Sequence, residues 1–141
     1  MATVKETMNS MNEPVLILKI RLLDSYAIVS EKKKVCQILF DGHADGRYFQ
    51  GDILPGAVDT QMIEPDGSGV LNARYTLKGK DAAGENCLLF IENTANLGES
   101  ITRPKIVTDS MKLAWMNDAH FSGFMKVDGT SLTIEIRKEN Y

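Results

Sequence analysis

The sequence has few of the residues that carry most metal and redox chemistry. Its 141 residues include two cysteines and two histidines. Cys36 and Cys87 lie far apart, without a Cys-x-x-Cys pair, which fits neither a zinc site nor a dense disulfide framework. This pattern favours two buried thiols in a reducing cytoplasm, with a disulfide between them as the open alternative. We therefore expect no metal site and no cofactor.

The sequence also lacks long apolar runs and an excess of positive charge. No stretch reaches about 18 consecutive apolar residues, so we predict neither a membrane span nor a membrane partner. The net charge of −3 argues against nucleic acid as a partner, because such binding depends on neutralising phosphates. A Walker loop, a Gly-x-Ser-x-Gly elbow and a His-Glu-x-x-His motif are absent as well, so kinases, hydrolases and zinc enzymes have no support.

The composition is that of one globular domain. Hydrophobic residues make up 43% of the chain and charged residues 25%, as in an ordinary folded protein. A chain of this length buries roughly 70% of its unfolded surface on folding. Residues 1–14 are polar and mixed in charge, so we predict a flexible N-terminal leader there and a single β-barrel domain over residues 15–141.

Short strand patterns dominate the sequence. Such segments, separated by turn residues, are typical of an all-β sandwich or barrel. Residues 111–116 suggest one short helix, and residues 99–108 suggest a loop or edge crossing because Pro104 interrupts them. The predicted strands are residues 15–22, 35–40, 47–53, 58–64, 70–78, 86–92, 121–127 and 131–137.

The turn at residues 65–68 gives the most informative hairpin. Its Pro-Asp-Gly-Ser sequence predicts a four-residue loop closed by Glu64 and Gly69. With that closing pair, Asp59 lies opposite Arg74, and one face of the hairpin is polar while the other is apolar. The polar face comprises Asp59, Gln61, Asn72, Arg74 and Thr76, and the apolar face comprises Val58, Thr60, Met62, Leu71, Ala73, Tyr75 and Leu77.

Two further turns set expectations elsewhere in the chain. Residues 128–129 fit a two-residue hairpin whose strands share an apolar face and leave His120 on the solvent side. Residues 55–56 fit a tight turn, which as a hairpin would set Asp52 opposite Asp59. Two adjacent carboxyl groups would raise the pKa of one of them and form an acid–base pair. Asp52 on a solvated edge is the alternative.

The central part of the sequence resembles a known family. Residues 46–61 read Gly-Arg-Tyr-Phe-Gln-Gly-Asp-Ile-Leu-Pro-Gly-Ala-Val-Asp-Thr-Gln, and Asn-Ala-Arg-Tyr-Thr-Leu follows at residues 72–77. This run is similar to the bacterial and fungal family catalogued as domain of unknown function 3237, which has Leu-Pro-Gly-Gly-x-Asp-x-Gln, Arg-Pro-Asp-Gly and Asp-Ala-Arg-Tyr-Thr motifs. Asn93 resembles the family's asparagine after a central strand, and residues 115–117 resemble its Trp-Leu-Asn.

The resemblance implies an all-β fold: a single antiparallel lipocalin-like β-barrel with at most one or two short helices. It implies no particular activity, because the family has no settled one. Three residues depart from the family pattern. Ala57 stands in place of glycine, Glu64 in place of arginine and Asn72 in place of aspartate, so the resemblance leaves the ligand open.

The polar face of the central hairpin has two interpretations. As a solvent face it would leave the apolar face as the core, which the alternation alone favours. As a lumen face it would line a ligand pocket, and the family's Asp, Gln and Arg fall on it. We predict the lumen arrangement, with Asp59 and Arg74 hydrogen-bonded inside the barrel. The predicted ligand-binding residues are Asp59, Gln61, Arg74, Glu92, Asn93 and Trp115.

Three functions are compatible with this site. The first is the binding of a small-molecule ligand in the lumen. The second is a cofactor-independent isomerase or cyclase acting on a small polar or aromatic substrate, with His43, Asp59 and Arg74 as its catalytic residues. The third is a structural or interaction protein. If the polar face is the lumen, the apolar stripe needs another cover, so we predict a homodimer or higher homo-oligomer.

Overall fold

A computed structural model shows a closed antiparallel β-barrel and describes residues 13–129 and 131–140. In chain order its elements are β1 (Leu16–Val29), β2 (Lys34–Asp45), β3 (Phe49–Ile53), β4 (Val58–Ile63), β5 (Gly69–Asp81), β6 (Asn86–Asn96), β7 (Ile101–Thr108), a 3-10 helix (Ala114–Asn117), β8 (Phe121–Asp128) and β9 (Ser131–Lys138). β1 pairs with both β2 and β9, which closes the sheet. The predicted all-β antiparallel barrel is confirmed.

The segments β3 and β4 share one position in the barrel wall. Both lie between β2 and β5, β3 near one end of these strands and β4 near the other. Residues 54–57 therefore form a break along one strand line rather than a hairpin, and the barrel has eight strand positions. The predicted facing of Asp52 and Asp59 is wrong, because Asp52 pairs with Lys78 and Asp59 pairs with Ala73.

Side chains fill one end of the barrel. Phe49 is 1% exposed there, at the start of β3. The 3-10 helix lies at the same end, because the Ser110 hydroxyl just before it donates a hydrogen bond to Asp81 Oδ2, at the end of β5, at 3.0 Å. The predicted short helix is thus present, shifted slightly from residues 111–116 and reduced to a 3-10 turn. We call this the closed end.

The β4–β5 hairpin has a shorter loop than the sequence suggested. The Glu64 backbone N–H donates to the Ser68 carbonyl at 2.7 Å, so the loop has three residues rather than four. Gly67 ends it with φ at +89°, in the left-handed region that a three-residue loop requires at this position. The pairing slips by one residue, so that Asp59 faces Ala73 instead of the residue after it. Such a slip reverses which side chains of the two strands share a face.

Strand β7 occupies most of the segment predicted as a loop. Pro104 lies inside it, where a proline is tolerated if its missing N–H breaks no ladder bond. β7 pairs with β6 along residues 103–108, but with β8 only at Ile101 and Thr102. Among the residues that the structure describes, one side of the strand therefore has no strand partner beyond these two residues, which explains how the proline fits.

The β8–β9 hairpin keeps its predicted faces. Met125 pairs with Ile134, two residues from the predicted register, and a shift by an even number leaves the same side chains facing inward. Residue 130 of this turn lies outside the described residues, as does most of the leader predicted for residues 1–14. His120 is exposed, as the sequence predicted.

The two cysteines are free thiols. Cys87 is buried and Cys36 is partly buried, so the alternative of a disulfide between them is wrong. In the described part of the chain, no helix has the length and apolar character needed to cross a membrane.

Candidate functional site

The end of the barrel opposite the 3-10 helix holds an open cavity. Its volume is about 270 Å³, close to the lower limit of roughly 300 Å³ for small-molecule sites. Leu22, Met125 and Val127 line it and are 50%, 46% and 71% exposed, so its mouth lies beside the β8–β9 turn. The remaining apolar wall consists of Ile20, Ile38, Phe40, Leu71, Ala73, Leu132 and Ile134.

Strand β4 brings polar groups into this cavity. Along the neighbouring β5, apolar residues such as Leu71 and Tyr75 face inward, as in most barrels. Along β4 the pattern is inverted, because Asp59 and Gln61 line the cavity while Met62 is 40% exposed. An inward polar pair costs stability unless it is hydrogen-bonded, so β4 marks the polar side of the lumen.

Asp59 is the carboxyl group of the cavity. The Gln61 side-chain amide donates a hydrogen bond to Asp59 Oδ2 at 3.1 Å. Asp59 Oδ1 is buried without a hydrogen-bond partner among the described residues. Burial raises the pKa of Asp59, and the hydrogen bond from Gln61 opposes that rise. Lys, Arg and His are absent from the lining, so no cation among the described lining residues neutralises this carboxylate. Chemically, the group can accept a hydrogen bond, bind a cation or hold a proton.

Asn93 faces the same space from β6. It is 5% exposed, and its Oδ1 has no hydrogen-bond partner among the described residues. Ala73 on β5 pairs with Asp59 on one side and with Asn93 on the other, so the two polar side chains flank a single methyl group. Neighbouring strands lie about 4.8 Å apart, which leaves a gap over Ala73 that a ligand group can fill. Three predicted ligand-binding residues, Asp59, Gln61 and Asn93, thus meet in the cavity.

Arg74 and Glu92 do not line the cavity. Arg74 Nε donates to Glu92 Oε2 at 2.7 Å across β5 and β6, and the two side chains are 63% and 29% exposed. The predicted hydrogen bond between Arg74 and Asp59 is therefore wrong, as is the placement of Arg74 and Glu92 in the lumen. The cause is the three-residue loop, which turns Arg74 outward when Asp59 faces inward.

Trp115 and His43 also lie away from the cavity. Trp115 belongs to the 3-10 helix at the closed end, where its ring meets that of Tyr48 edge to face at 5.2 Å between centroids. His43 Nε2 lies 3.4 Å from Asp45 Oδ2, with 48% of the side chain exposed. The prediction that these two residues line the cavity is wrong. Over the described residues, no three His, Cys, Asp or Glu side chains converge as metal ligands.

The sequence interpretation missed the aromatic wall. Phe40 on β2 and Tyr75 on β5 both line the cavity, with ring centroids 5.2 Å apart in an edge-to-face arrangement. Burial raises the pKa of the Tyr75 phenol. The signal was the apolar alternation along β5, which the four-residue loop assigned to the outer face. A predicted loop of three residues that ends in Gly67 would have placed the apolar side chains of β5 in the lumen.

Comparisons with known proteins give one sequence relative and several solved structures of the same fold. A UPF0311 protein of Clostridium acetobutylicum is 38% identical over 55 residues, which cover 39% of this chain and about a third (32%) of that protein. A crystal structure of a protein with unknown function from the same bacterium has a TM-score of 0.74 at 24% identity, covering 89% of this chain and 94% of that one. An enzyme from Penicillium herquei has a TM-score of 0.65 at 18% identity, covering 90% and 96%. The sequence identities of 24% and 18% to these two solved structures establish a common fold and nothing more.

A family model matches the part of the chain that builds the cavity's polar side. It is described as Protein of unknown function (DUF3237) and covers residues 12–97. That stretch runs through β6 and includes Asp59, Gln61 and Asn93. The chain belongs to the DUF3237 family.

Proposed function

We propose that the protein binds a small organic molecule in the open end of its barrel. The observation that carries this proposal is the cavity of about 270 Å³ whose apolar wall is interrupted by Asp59 and Asn93. Small-molecule sites typically combine apolar walls with a few placed polar groups. Each of these two residues has a buried oxygen without a protein partner, which a ligand would satisfy.

Native mass spectrometry of the purified protein tests this function. We expect a bound small molecule, released on denaturation, in the wild type and in the outer-face control Arg74→Gln. Ala73→Leu should abolish binding, because the larger side chain fills the gap between Asp59 and Asn93. Circular dichroism establishes that each variant is folded. Equal ligand loading in wild type and Ala73→Leu would contradict the proposal.

A second candidate function is mass-neutral chemistry, an isomerisation or a cyclisation without a cofactor. It is supported by the pKa of Asp59, which burial raises, since a carboxyl group of this kind can both take and give a proton. The structural neighbour from Penicillium herquei is titled an enzyme, which is compatible with this candidate. Asp59 alone would transfer the proton, because His43 and Arg74 lie outside the cavity.

Liquid chromatography with mass spectrometry distinguishes an isomerase or cyclase from a binding protein. The molecule recovered from the native protein is incubated with fresh wild-type protein and with Asp59→Asn. An enzyme of this class gives a product with the same mass and a different retention time, and Asp59→Asn abolishes it. A molecule recovered unchanged after long incubation contradicts the second candidate and leaves the first.

We also propose that the protein is a homodimer of the cytoplasm. Residues 22–29 of β1 pair with β2 alone among the described residues, so one edge of this segment offers free backbone groups to a second copy. Tyr26, Ile28 and Val29 on it are 59%, 69% and 75% exposed. The two free thiols are compatible with a reducing compartment.

A further inference from the structure

The described residues that line the cavity carry negative charge and no positive charge. Asp59 supplies a carboxylate, and the described lining residues include no basic side chain. Arg74, the cation that the sequence predicted for this site, is mostly exposed and its Nε lies 2.7 Å from Glu92 Oε2. A carboxylate that is partly withdrawn from water favours either a proton or a positively charged partner. The described residues of the lumen include no positively charged side chain that could be this partner.

The unsatisfied atoms of the cavity are hydrogen-bond acceptors. Asp59 Oδ1 and Asn93 Oδ1 are both buried without a partner, and both residues pair with Ala73 on the strand between them. A single group above Ala73 that satisfies both atoms donates two hydrogen bonds, one to each side. A hydroxyl has one donor hydrogen, whereas a primary ammonium has three and no acceptor. A carboxylate ligand would add a second negative charge beside Asp59.

We propose that the cavity selects a small organic cation, a primary ammonium carried on an apolar body. The ammonium would lie above Ala73, donating to Asp59 and Asn93, and the apolar body would contact Phe40 and Tyr75. This inference rests on the proposed binding function and names the chemistry of its ligand. Burial of Asp59 supports it, because a bound cation would offset the lost hydration of the carboxylate.

Three probes that differ in one group test the proposal. Cyclohexylmethylamine, cyclohexylmethanol and cyclohexanecarboxylate are titrated separately at neutral pH by ligand-observed NMR or calorimetry. We expect the amine to bind at least about tenfold more tightly than the alcohol, and the carboxylate to bind least. Asp59→Asn should remove the preference for the amine, whereas Arg74→Gln, on the outer face, should retain it. Asn93→Ala should weaken the amine more than the alcohol.

The outcomes separate this inference from the binding function itself. If the alcohol or the carboxylate binds as tightly as the amine, the cation preference is wrong while the cavity remains a binding site. The same conclusion follows if Asp59→Asn leaves the preference unchanged. If none of the three probes binds at millimolar concentration, and the neutral apolar dye N-phenyl-1-naphthylamine does not bind to wild type either, both the inference and the binding function are contradicted.

Discussion

Asp59 is held where its charge opposes folding. Burial raises its pKa above the ordinary 3.8, so the folded chain binds this proton more tightly than the unfolded chain does. The destabilising contribution is absent at pH values below the unfolded pKa and develops as the pH rises through the folded one. We expect Asp59→Asn to raise the melting temperature at pH 7 by about 2–4 °C, a modest gain because the carboxylate is only partly buried.

The pH dependence is the control for this prediction. The advantage of Asp59→Asn should shrink as the pH falls through the raised pKa of Asp59, because the wild-type carboxyl group then becomes protonated. Differential scanning calorimetry of both proteins at several pH values measures it. A variant that is less stable than wild type at pH 7 would mean that the carboxylate has a stabilising partner in the fold.

Arg74 should matter little for stability. Its ion pair with Glu92 lies on the outer surface, with 63% of the Arg74 side chain exposed. Exposed pairs of this kind contribute less than about 1 kcal/mol, so Arg74→Ala should reduce the free energy of unfolding by no more than that. Urea denaturation measures the change. A loss of about 3–5 kcal/mol would instead indicate a buried pair and would contradict the register of the β4–β5 hairpin.

The length of the β4–β5 loop, by one residue, decided whether the sequence placed Arg74 correctly. Asp59 and Gln61 were assigned to one face of β4 by alternation alone, and the assignment did not need the loop length. Arg74 was placed through the pairing across the hairpin, which reverses when one residue leaves the loop. Asn93 came from the family resemblance. Side-chain alternation within one strand is a local property, whereas register depends on the backbone conformation at Gly67, which a side-chain pattern does not encode.

The contact between β3 and β5 depends on two glycines. Gly51 and Gly79 are paired, and a Cβ atom at Gly79 would lie 2.0 Å from the Gln50 carbonyl oxygen and 2.5 Å from the Cα of Gly51. The strands must separate to accept it. We expect Gly79→Ala to destabilise the barrel by about 1–3 kcal/mol or more, as overpacked cores do.

A matched glycine separates this packing effect from backbone strain. Gly84 has φ at +81° and no atom within 4 Å of its Cβ position. Gly84→Ala should cost only the strain of a left-handed residue, about 1–2 kcal/mol. Chemical denaturation of both variants gives the comparison. A smaller loss for Gly79→Ala than for Gly84→Ala would mean that β3 and β5 are not closely packed.

At the element scale, the sequence predicted strands with ordinary alternation and missed those with exceptions. β7 was read as a loop because Pro104 normally breaks a strand, and its tolerance follows from the short pairing with β8. β1 continues to Val29 past an irregularity between Leu22 and Ser25, because its pairing with β2 resumes at Ser25. Both exceptions depend on neighbouring strands that lie far away in sequence.

At the scale of the whole molecule, the free edge of β1 should decide the oligomeric state. We expect wild type to be a dimer by multi-angle light scattering and Ile28→Lys to be a monomer, because an edge lysine opposes strand pairing between copies. Phe90→Lys is the matched control, since Phe90 is 37% exposed on β6, a strand that pairs on both sides at this residue. Monomeric wild type at micromolar concentration, or a dimer that survives Ile28→Lys, would contradict this interface.

The barrel is packed at one end and hollow at the other, and this asymmetry has a consequence for how it opens. Amide hydrogen exchange reports the free energy of local opening, which is lowest where buried apolar contacts are fewest. Leu77 and Leu89 are 0% exposed towards the closed end, so their amides should exchange only when the whole domain unfolds. The amides of β4 and of residues 22–29 should exchange through smaller fluctuations. Entry of the proposed ligand can then use these partial openings while the other half of the sheet keeps the chain folded.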